Sequence, residues 1–314
     1  MKAAVRRRWG EIEVADVPTP EPAADEVLVR VHASSINRSD FYAFAGGALL
    51  MRPLLCGARL GGDFAGVAEA AGDDVHDIQP GDEVFGARSG AFAEYVAVKT
   101  AVARKPGNLT FEEAAAVPIG ALTALEALRD RGGLRAGHRV LVNGASGGVG
   151  VFAVQLAKAL GAGHVTAVCS TRNVEQAHSL GADRVIDYIR DDYTRGDDRY
   201  DLIVDIAGSH SWRANRRVLT PDGRLVLVGL PMGNGVTGPL GPLAHRWLTS
   251  RVGRKKLAFF VCKPNRANLA TLRELIESGS VKPLVDRVYP LSDIADALSA
   301  MGRGHTQGKL VVRI

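Results

Sequence analysis

The stretch Val140-Leu-Val-Asn-Gly-Ala-Ser-Gly-Gly-Val-Gly150, followed by Val151-Phe-Ala-Val-Gln-Leu-Ala-Lys-Ala-Leu160, decides the fold. Val140 to Asn143 reads as a short buried strand, the next seven positions are crowded with Gly and Ser, and an apolar run of helical length follows. Only Gln155 and Lys158 interrupt that run. Strand, glycine loop and buried helix make the first half of a βαβ unit. The first amides of such a helix lack internal partners and carry the positive end of its dipole, and glycines let a pyrophosphate reach them.

Three functions compete for the loop. Ala145-x-Gly147-x-x-Gly150 is the dinucleotide pattern with Ala at its first position. A nucleoside-triphosphate loop would end in Gly-Lys-Ser/Thr, but Gly150 is followed by Val151 and Phe152. Gly144-x-Ser146-x-Gly148 matches the nucleophile elbow of serine hydrolases, and Asp286, Asp293 and His305 follow in triad order. A plain tight turn packing a helix on a sheet is the remaining reading.

Outward from the loop, strands and helices alternate. Strands are expected at 139–143, 165–170, 184–188, 201–206, 224–230 and 256–262, with helices at 149–160, 173–180 and 210–219. That order predicts a parallel, doubly wound sheet. The first 105 or so residues instead show short strand candidates, near 3–7, 11–15, 27–33, 63–70, 82–86 and 91–98. Gly and Pro turns punctuate them, which predicts a barrel-like unit. Thr110-Phe-Glu-Glu113 reads as a capping box opening a helical stretch that Pro118 interrupts. After 262 the chain reads helix (265–278), strand (284–288), helix (291–300) and strand (308–314), expected to return to the first lobe.

With 314 residues, 46% hydrophobic and 23% charged, the chain can bury a full core and is expected to form two domains. The basic start Met1-Lys-Ala-Ala-Val-Arg-Arg-Arg8 has no apolar segment after it, and no apolar run is long enough to span a bilayer, so a cytoplasmic location is expected. Three dispersed cysteines, Cys56, Cys169 and Cys262, suit a reducing compartment. The net charge of +5 comes with scattered Arg and only 6% aromatics, which suits a solvated surface better than nucleic-acid recognition.

Cofactor preference is read at the end of the second strand. An NAD site of this type places an acid about 20 residues past the loop. No acid stands between Gly150 and Glu175; Ser170, Thr171 and Arg172 occupy the place instead. Hydroxyls and a guanidinium suit the 2′-phosphate of NADPH.

The sequence resembles the medium-chain dehydrogenase/reductases, specifically the zinc-free quinone oxidoreductase (zeta-crystallin-like) group. The resemblance rests on Asn37-x-x-Asp40, Gly61-Gly-Asp-Phe-Ala-Gly66, Pro80-Gly-Asp-Glu-Val-Phe-Gly86, Gly90-Ala-Phe-Ala-Glu-Tyr95 and Asn143–Gly150. Leu180-Gly-Ala-Asp183, Asp222-Gly-Arg-Leu-Val-Leu-Val-Gly229 and Gly308-Lys-Leu-Val-Val312 extend it over nearly the whole chain. It implies an α/β fold: a GroES-like β-barrel-type catalytic domain at 1–115, an NADP-binding Rossmann domain at 116–262, and a return to the catalytic domain at 263–314. Zinc members carry Cys where this chain has Asn37 and Gly-His-Glu where it has Gly61-Gly62-Asp63, and the four-Cys lobe is missing, so no metal is expected. Tyr95-x-x-x-Lys99 matches a short-chain dehydrogenase pair, but it lies in a β-like stretch ahead of the glycine loop.

The resemblance implies NADPH-dependent hydride transfer to a quinone or similar conjugated acceptor, or to an alkenal or enone double bond. A serine hydrolase using Ser146 and a non-catalytic NADPH-binding protein are the alternatives of other classes. Ser146, Gly147, Gly148 and Val149 should hold the pyrophosphate, and Ser170, Thr171 and Arg172 the 2′-phosphate. By resemblance Tyr188 lies near the adenine. Ala207, Gly208, Leu227, Val228, Gly229, Leu230 and Phe260 line the path to the nicotinamide. Asn37, Asp40 and Tyr42 are the expected catalytic residues near nicotinamide and acceptor, Tyr42 orienting the acceptor or donating a proton, or only packing against the nicotinamide, with Thr123 beside them. The apolar strand Lys256–Cys262 at the sheet's end is expected to join two copies in a homodimer.

Overall fold

The computed structural model describes residues 1–46, 59–228, 256–304 and 306–314. Two sheets carry it. Strands β8 (Arg139–Asn143), β9 (His164–Cys169), β10 (Arg184–Asp187), β11 (Tyr200–Asp205), β12 (Leu219–Leu227) and β13 (Lys256–Phe259) form one sheet in the order β10-β9-β8-β11-β12-β13. Every pairing in it is parallel. Renumbered within the sheet this is 3-2-1-4-5-6, the doubly wound dinucleotide-binding order, and the glycine loop leaves its first strand at the point where the order reverses.

The helix after the loop, α4 (Gly150–Ala159), is buried along nearly its whole length because it lies between the sheet and the rest of the molecule. That explains the apolar run of the sequence. Its one buried polar side chain, Gln155, is satisfied reciprocally: Nε2 donates to Lys282 O (2.9 Å) and Oε1 accepts from Lys282 N (2.8 Å). The pair fastens the C-terminal return to the nucleotide sheet.

The second sheet is mostly antiparallel. Its order is β14-β15-β3-β4-β5-β7, with β6 also paired to β3. Here β3 is Val27–Ile36, β4 Asp63–Ala71, β5 Glu83–Ala87, β6 Tyr95–Val98, β7 Val102–Arg104, β14 Val285–Pro290 and β15 Lys309–Arg313. β1 (Lys2–Arg8) and β2 (Glu11–Asp16) make a separate hairpin. β14 and β15 come from the C-terminal segment, and β15 pairs antiparallel with β3 of the N-terminal segment. Between them runs α8 (Ile294–Arg303), and α7 (Arg266–Glu277) precedes them.

One helical region departs from the expectations and another follows them. Residues 38–45, within the stretch expected to be strands and turns, form helix α1 (Arg38–Ala45). The stretch after the capping box divides into α2 (Phe111–Ala115) and α3 (Pro118–Leu125), with Pro118 at the first turn of the second, where its missing N–H costs nothing. The Thr110 box forms as expected, Thr110 Oγ1 accepting from Glu113 N (3.2 Å) and Glu113 returning to Thr110 N (2.9 Å). Strand β13 ends at Phe259, short of the expected 262.

Candidate active site in the cleft between the sheets

The nucleotide end is built from backbone. Gly144 has φ +93° and its N–H, like that of Ala145, donates to Val168 O (3.1 and 3.0 Å). This turns the chain back across β9. Gly150 is required by close approach: a Cβ there would sit 2.1 Å from Gly144 O. Likewise a Cβ on Gly120 of α3 would sit 2.5 Å from Gly148 O, so the loop rests directly on the neighbouring helix. Ser146, Gly147, Gly148 and Val149 are half-buried at the start of α4. The C-terminal tail crosses this loop, Gly308 N donating to Ser146 O (2.9 Å).

Ser170, Thr171 and Arg172 follow β9 directly, with Thr171 and Arg172 exposed. Their surroundings hold a residue the sequence reading missed. Asp187, the last residue of β10, stands in register with Cys169, and its Oδ2 accepts from Thr171 Oγ1 (2.5 Å). Its Oδ1 accepts from Ile189 N (3.0 Å), and the Arg190 guanidinium lies 3.5 Å away. The Thr171 hydroxyl chiefly holds this carboxyl below its usual range. Counting forward along one strand could not find Asp187; the register of the adjacent parallel strand could. Buried Asn173 was missed too: its Nδ2 donates to Ser170 Oγ (3.1 Å), and its Oδ1 accepts from Gln307 Nε2 (2.6 Å). Tyr188 is exposed beside this group.

Toward the middle of the cleft, Ala207 N donates to Asn143 O (3.2 Å) and Gly208 N to Asp205 Oδ1 (2.8 Å). Asp205 is buried and also accepts from Asn143 Nδ2 (2.8 Å), so strand ends β8 and β11 are locked where the loop begins. Leu227, Val228 and Phe260 are each at most 8% exposed and pack into the core. Gly229 and Leu230 lie outside the described residues, as do His305, Cys56 and most of 43–60 and 231–255. Thr123 is half-buried on α3.

Where β3, β4 and β15 meet, the structure gathers a buried polar cluster. Register does this: Ser35 of β3 stands opposite Asp63 of β4, and Ile36 opposite Leu310 of β15. Asn37, Asp63 and Lys309 therefore meet. Lys309 Nζ donates to Asn37 Oδ1 (2.6 Å) and Asp63 Oδ2 (3.0 Å). Asn37 Nδ2 donates to Asp63 Oδ2 (2.9 Å), closing a triangle. Ser35 Oγ (2.7 Å) and Ile119 N (2.7 Å), the latter in the first turn of α3, complete the carboxylate's shell. The side chains of Lys309 and Asp63 are 2% and 0% exposed. Sequence reasoning noticed Asp63 and Lys309 only as parts of motifs.

Asp40 lies next to this cluster. Its Oδ2 accepts from Asn37 N (2.8 Å) and its Oδ1 from Gly61 N (3.1 Å), so it anchors the turn that carries Asn37. Burial pushes its carboxyl up to about 6. Tyr42 is half-buried further along α1, its backbone O accepting from Gly46 N (2.9 Å) at the helix end.

Comparison with known proteins agrees with this architecture. The family model described as alcohol dehydrogenase GroES-like domain matches residues 23–107, and the one described as zinc-binding dehydrogenase matches 180–312. The chain is 36% identical to the mitochondrial NAD(P)H oxidoreductase RTN4IP1 of Mus musculus, over 92% of this chain and 82% of that one. It is 34% identical to the chloroplastic NADPH-dependent alkenal/one oxidoreductase of Arabidopsis thaliana, over 99% and 79%. Among solved structures, the quinone oxidoreductase from Coxiella burnetii superposes with a TM-score of 0.87 at 28% identity, covering 100% of this chain and 99% of that one.

Zinc, which the second family description implies, does not fit here. It takes convergent Cys, His or carboxylate ligands. Asn37 and Gly62 replace two of them, and the Asp63 carboxylate is occupied by an ammonium, a hydroxyl and two N–H donors. A side chain at position 62 would sit 2.7 Å from Ile119 Cδ1. Among the described residues no group of three His, Cys, Asp or Glu could hold a metal ion. With the Rossmann order, the GroES-like match and near full-length relatives together, the chain belongs to the medium-chain dehydrogenase/reductase family, alongside the quinone oxidoreductases.

Proposed function

We propose that the chain is an NADPH-dependent oxidoreductase that reduces a quinone or similar conjugated acceptor without zinc. The observation that carries this reading is the Asn37–Asp63–Lys309 triangle, in which Asn37 stands at one of the family's metal-ligand positions and Asp63 follows Gly62, the other. A metal Lewis acid polarises an isolated carbonyl. An acceptor whose charge is delocalised after hydride addition manages without one, since a hydroquinone anion or enolate is protonated by water. The named activities of the Coxiella and Arabidopsis relatives support quinones first and alkenals or enones second.

NADPH supplies the hydride when bound. In this reading the amides from Ser146 to Val149 hold its pyrophosphate, and Ser170, Thr171 and Arg172 its 2′-phosphate, with Tyr188 beside the adenine. Ala207 and Gly208 border the nicotinamide path above the floor of Leu227, Val228 and Phe260, which Gly229 and Leu230 continue in sequence. Asn37 and Tyr42 face the acceptor, Thr123 flanks them, and Asp40 holds Asn37 in place. The proposed domains run 1–115, 116–262 and 263–314.

The proposal includes a homodimer joined at β13, which among the described residues pairs only with β12 and carries Phe259 40% exposed, with Val261 beyond it 73% exposed. It also includes a cytoplasmic location, suited to the unpaired Cys169 and Cys262. Among the described residues no helix is long and apolar enough to cross a membrane. The deciding experiment is steady-state NADPH oxidation against quinones, enones, simple ketones and esters. Quinones or enones should turn over fastest, and faster reduction of an aliphatic ketone defeats the proposal. Light scattering at micromolar concentration should give twice the chain mass.

A further inference from the structure

Lys309 is a buried cation that the proposed hydride transfer does not itself use. Its backbone belongs to the tail that crosses the glycine loop, where Gly308 bridges to Gly147. Its stem lies over Gly148, so closely that a Cβ there would sit 2.7 Å from Lys309 Cδ. Its ammonium ends on Asn37 and Asp63. One side chain thus runs from the glycine loop to Asn37, at one of the family's metal-ligand positions, and to Asp63.

The triangle dictates how Asn37 faces. A carboxamide has an accepting end and a donating end of nearly equal shape, and either can usually point either way. Here an ammonium demands the oxygen and a carboxylate demands the nitrogen. Flipping the amide would set Nδ2 against Lys309 and Oδ1 against Asp63, two buried repulsive contacts in place of two charge-assisted bonds. Asn37 is half-buried while both charges are sealed away, so it is the member that the cleft can reach. Its Nδ2 carries two hydrogens and has one acceptor, Asp63, among the described residues.

We propose that Lys309 is a positioning residue: with Asp63 it fixes the Asn37 amide so that its remaining N–H is offered to the acceptor's oxygen. This rests on the reductase reading and narrows it to acceptors that carry a carbonyl or oxyanion oxygen. A bound dihydronicotinamide would supply a hydride, which would form a C–H or O–H bond on the conjugated acceptor while the displaced π electrons collect on oxygen. A proton from water then completes the product. Asn37 donates a hydrogen bond to that oxygen as charge grows on it, and Lys309 gives up no proton.

Lys309→Met alone strands a buried carboxylate, so the test pairs it with Asp63→Asn. In Lys309→Met/Asp63→Asn the cluster is neutral, and Asn37 can satisfy its neighbours in either orientation. Three measurements on the full chain are needed. In the apoprotein, the Asn37 side-chain amide should give one exchange-protected pair of proton resonances, which the double variant loses. NADPH affinity should stay within about threefold, the spread of an indirect contact. Turnover of a quinone should fall about 10²-fold, the effect of losing one aimed donor, and Asn37→Ala added to the double variant should cost little more. A folded double variant with wild-type turnover, or one that retains the protected amide, overturns the proposal. Wild-type protein that shows the protected amide but binds no NADPH overturns the reductase reading and leaves the amide's fixation standing.

Discussion

The two ends of the cleft are built on opposite principles. The nucleotide end is made of glycines and backbone amides, with its charged side chains at the surface: Arg172 is exposed and Gly150 is pressed against Gly144 O. The acceptor end seals charge inside, with Asp63 and Lys309 almost wholly buried and Asp40 beside them. A loop of amides serves any pyrophosphate and costs little to keep vacant. A buried ion network is expensive to form and specifies one arrangement of its neighbours. Damage should therefore act on binding at the first end and on stability at the second.

The largest effect tests the buried side. Asp63→Ala removes the partner of a sealed ammonium and leaves Asn37, Ser35 and the first turn of α3 without their shared acceptor. Breaking one member of a buried pair costs about 3–5 kcal/mol, and urea unfolding should read a loss of that size. A loss below about 1 kcal/mol, the range of surface pairs, would place the cluster in water and erase the contrast.

The next effect is pH-dependent. Burial raises Asp40 from 3.8 to about 6 in the folded chain, so the native state keeps this proton at pH values where the unfolded chain has lost it. The native state binds more protons across that window, which makes the slope of stability with pH negative there. Asp40 is neutral in its effect below about pH 4 and lowers stability as pH rises to about 6, by about 3 kcal/mol in full for a displacement of this size. Asp40→Asn lacks the titration. The stability of the variant relative to wild type should therefore rise between pH 4 and pH 7. A difference that stays constant between those pH values would mean that Asp40 ionises normally.

What the sequence made legible follows the same division. The nucleotide sheet was readable because each part is local: Val140–Asn143 is apolar, the glycines are consecutive, and α4 is buried enough to read as one apolar run. The acceptor cluster joins positions 37, 63 and 309, which only strand register brings together. Asp187 escaped for the same reason, since its contact with Thr171 crosses from β10 to the end of β9. Helix α1 was missed although Asn37-x-x-Asp40 carries a start signal, an N-cap residue with an acid three positions on. Its surroundings are dense in strands and turns, which set the expectation for the whole segment.

The smallest effect concerns the exposed side and the acid found there. Arg172→Ala should weaken NADPH binding by about 1.5–3 kcal/mol, the range for a hydrogen bond to a charged group, and leave NADH binding almost unchanged. Equal losses for both cofactors would remove Arg172 from the 2′-phosphate. Asp187 bears on the same choice, because a carboxylate near the ribose repels a phosphate and suits free hydroxyls. Its oxygens already accept from Thr171 Oγ1 and Ile189 N, with Arg190 alongside, so much of its charge is spent within the wall. To turn its proton to a 2′-phosphate, the Thr171 hydroxyl must give up this bond to Asp187. Asp187→Asn should accordingly tighten NADPH binding slightly and leave the preference over NADH in the same direction. If the substitution instead weakens NADH binding severalfold while NADPH is unaffected, Asp187 is a ribose ligand, and the cofactor choice is set by the strand register rather than by Ser170, Thr171 and Arg172.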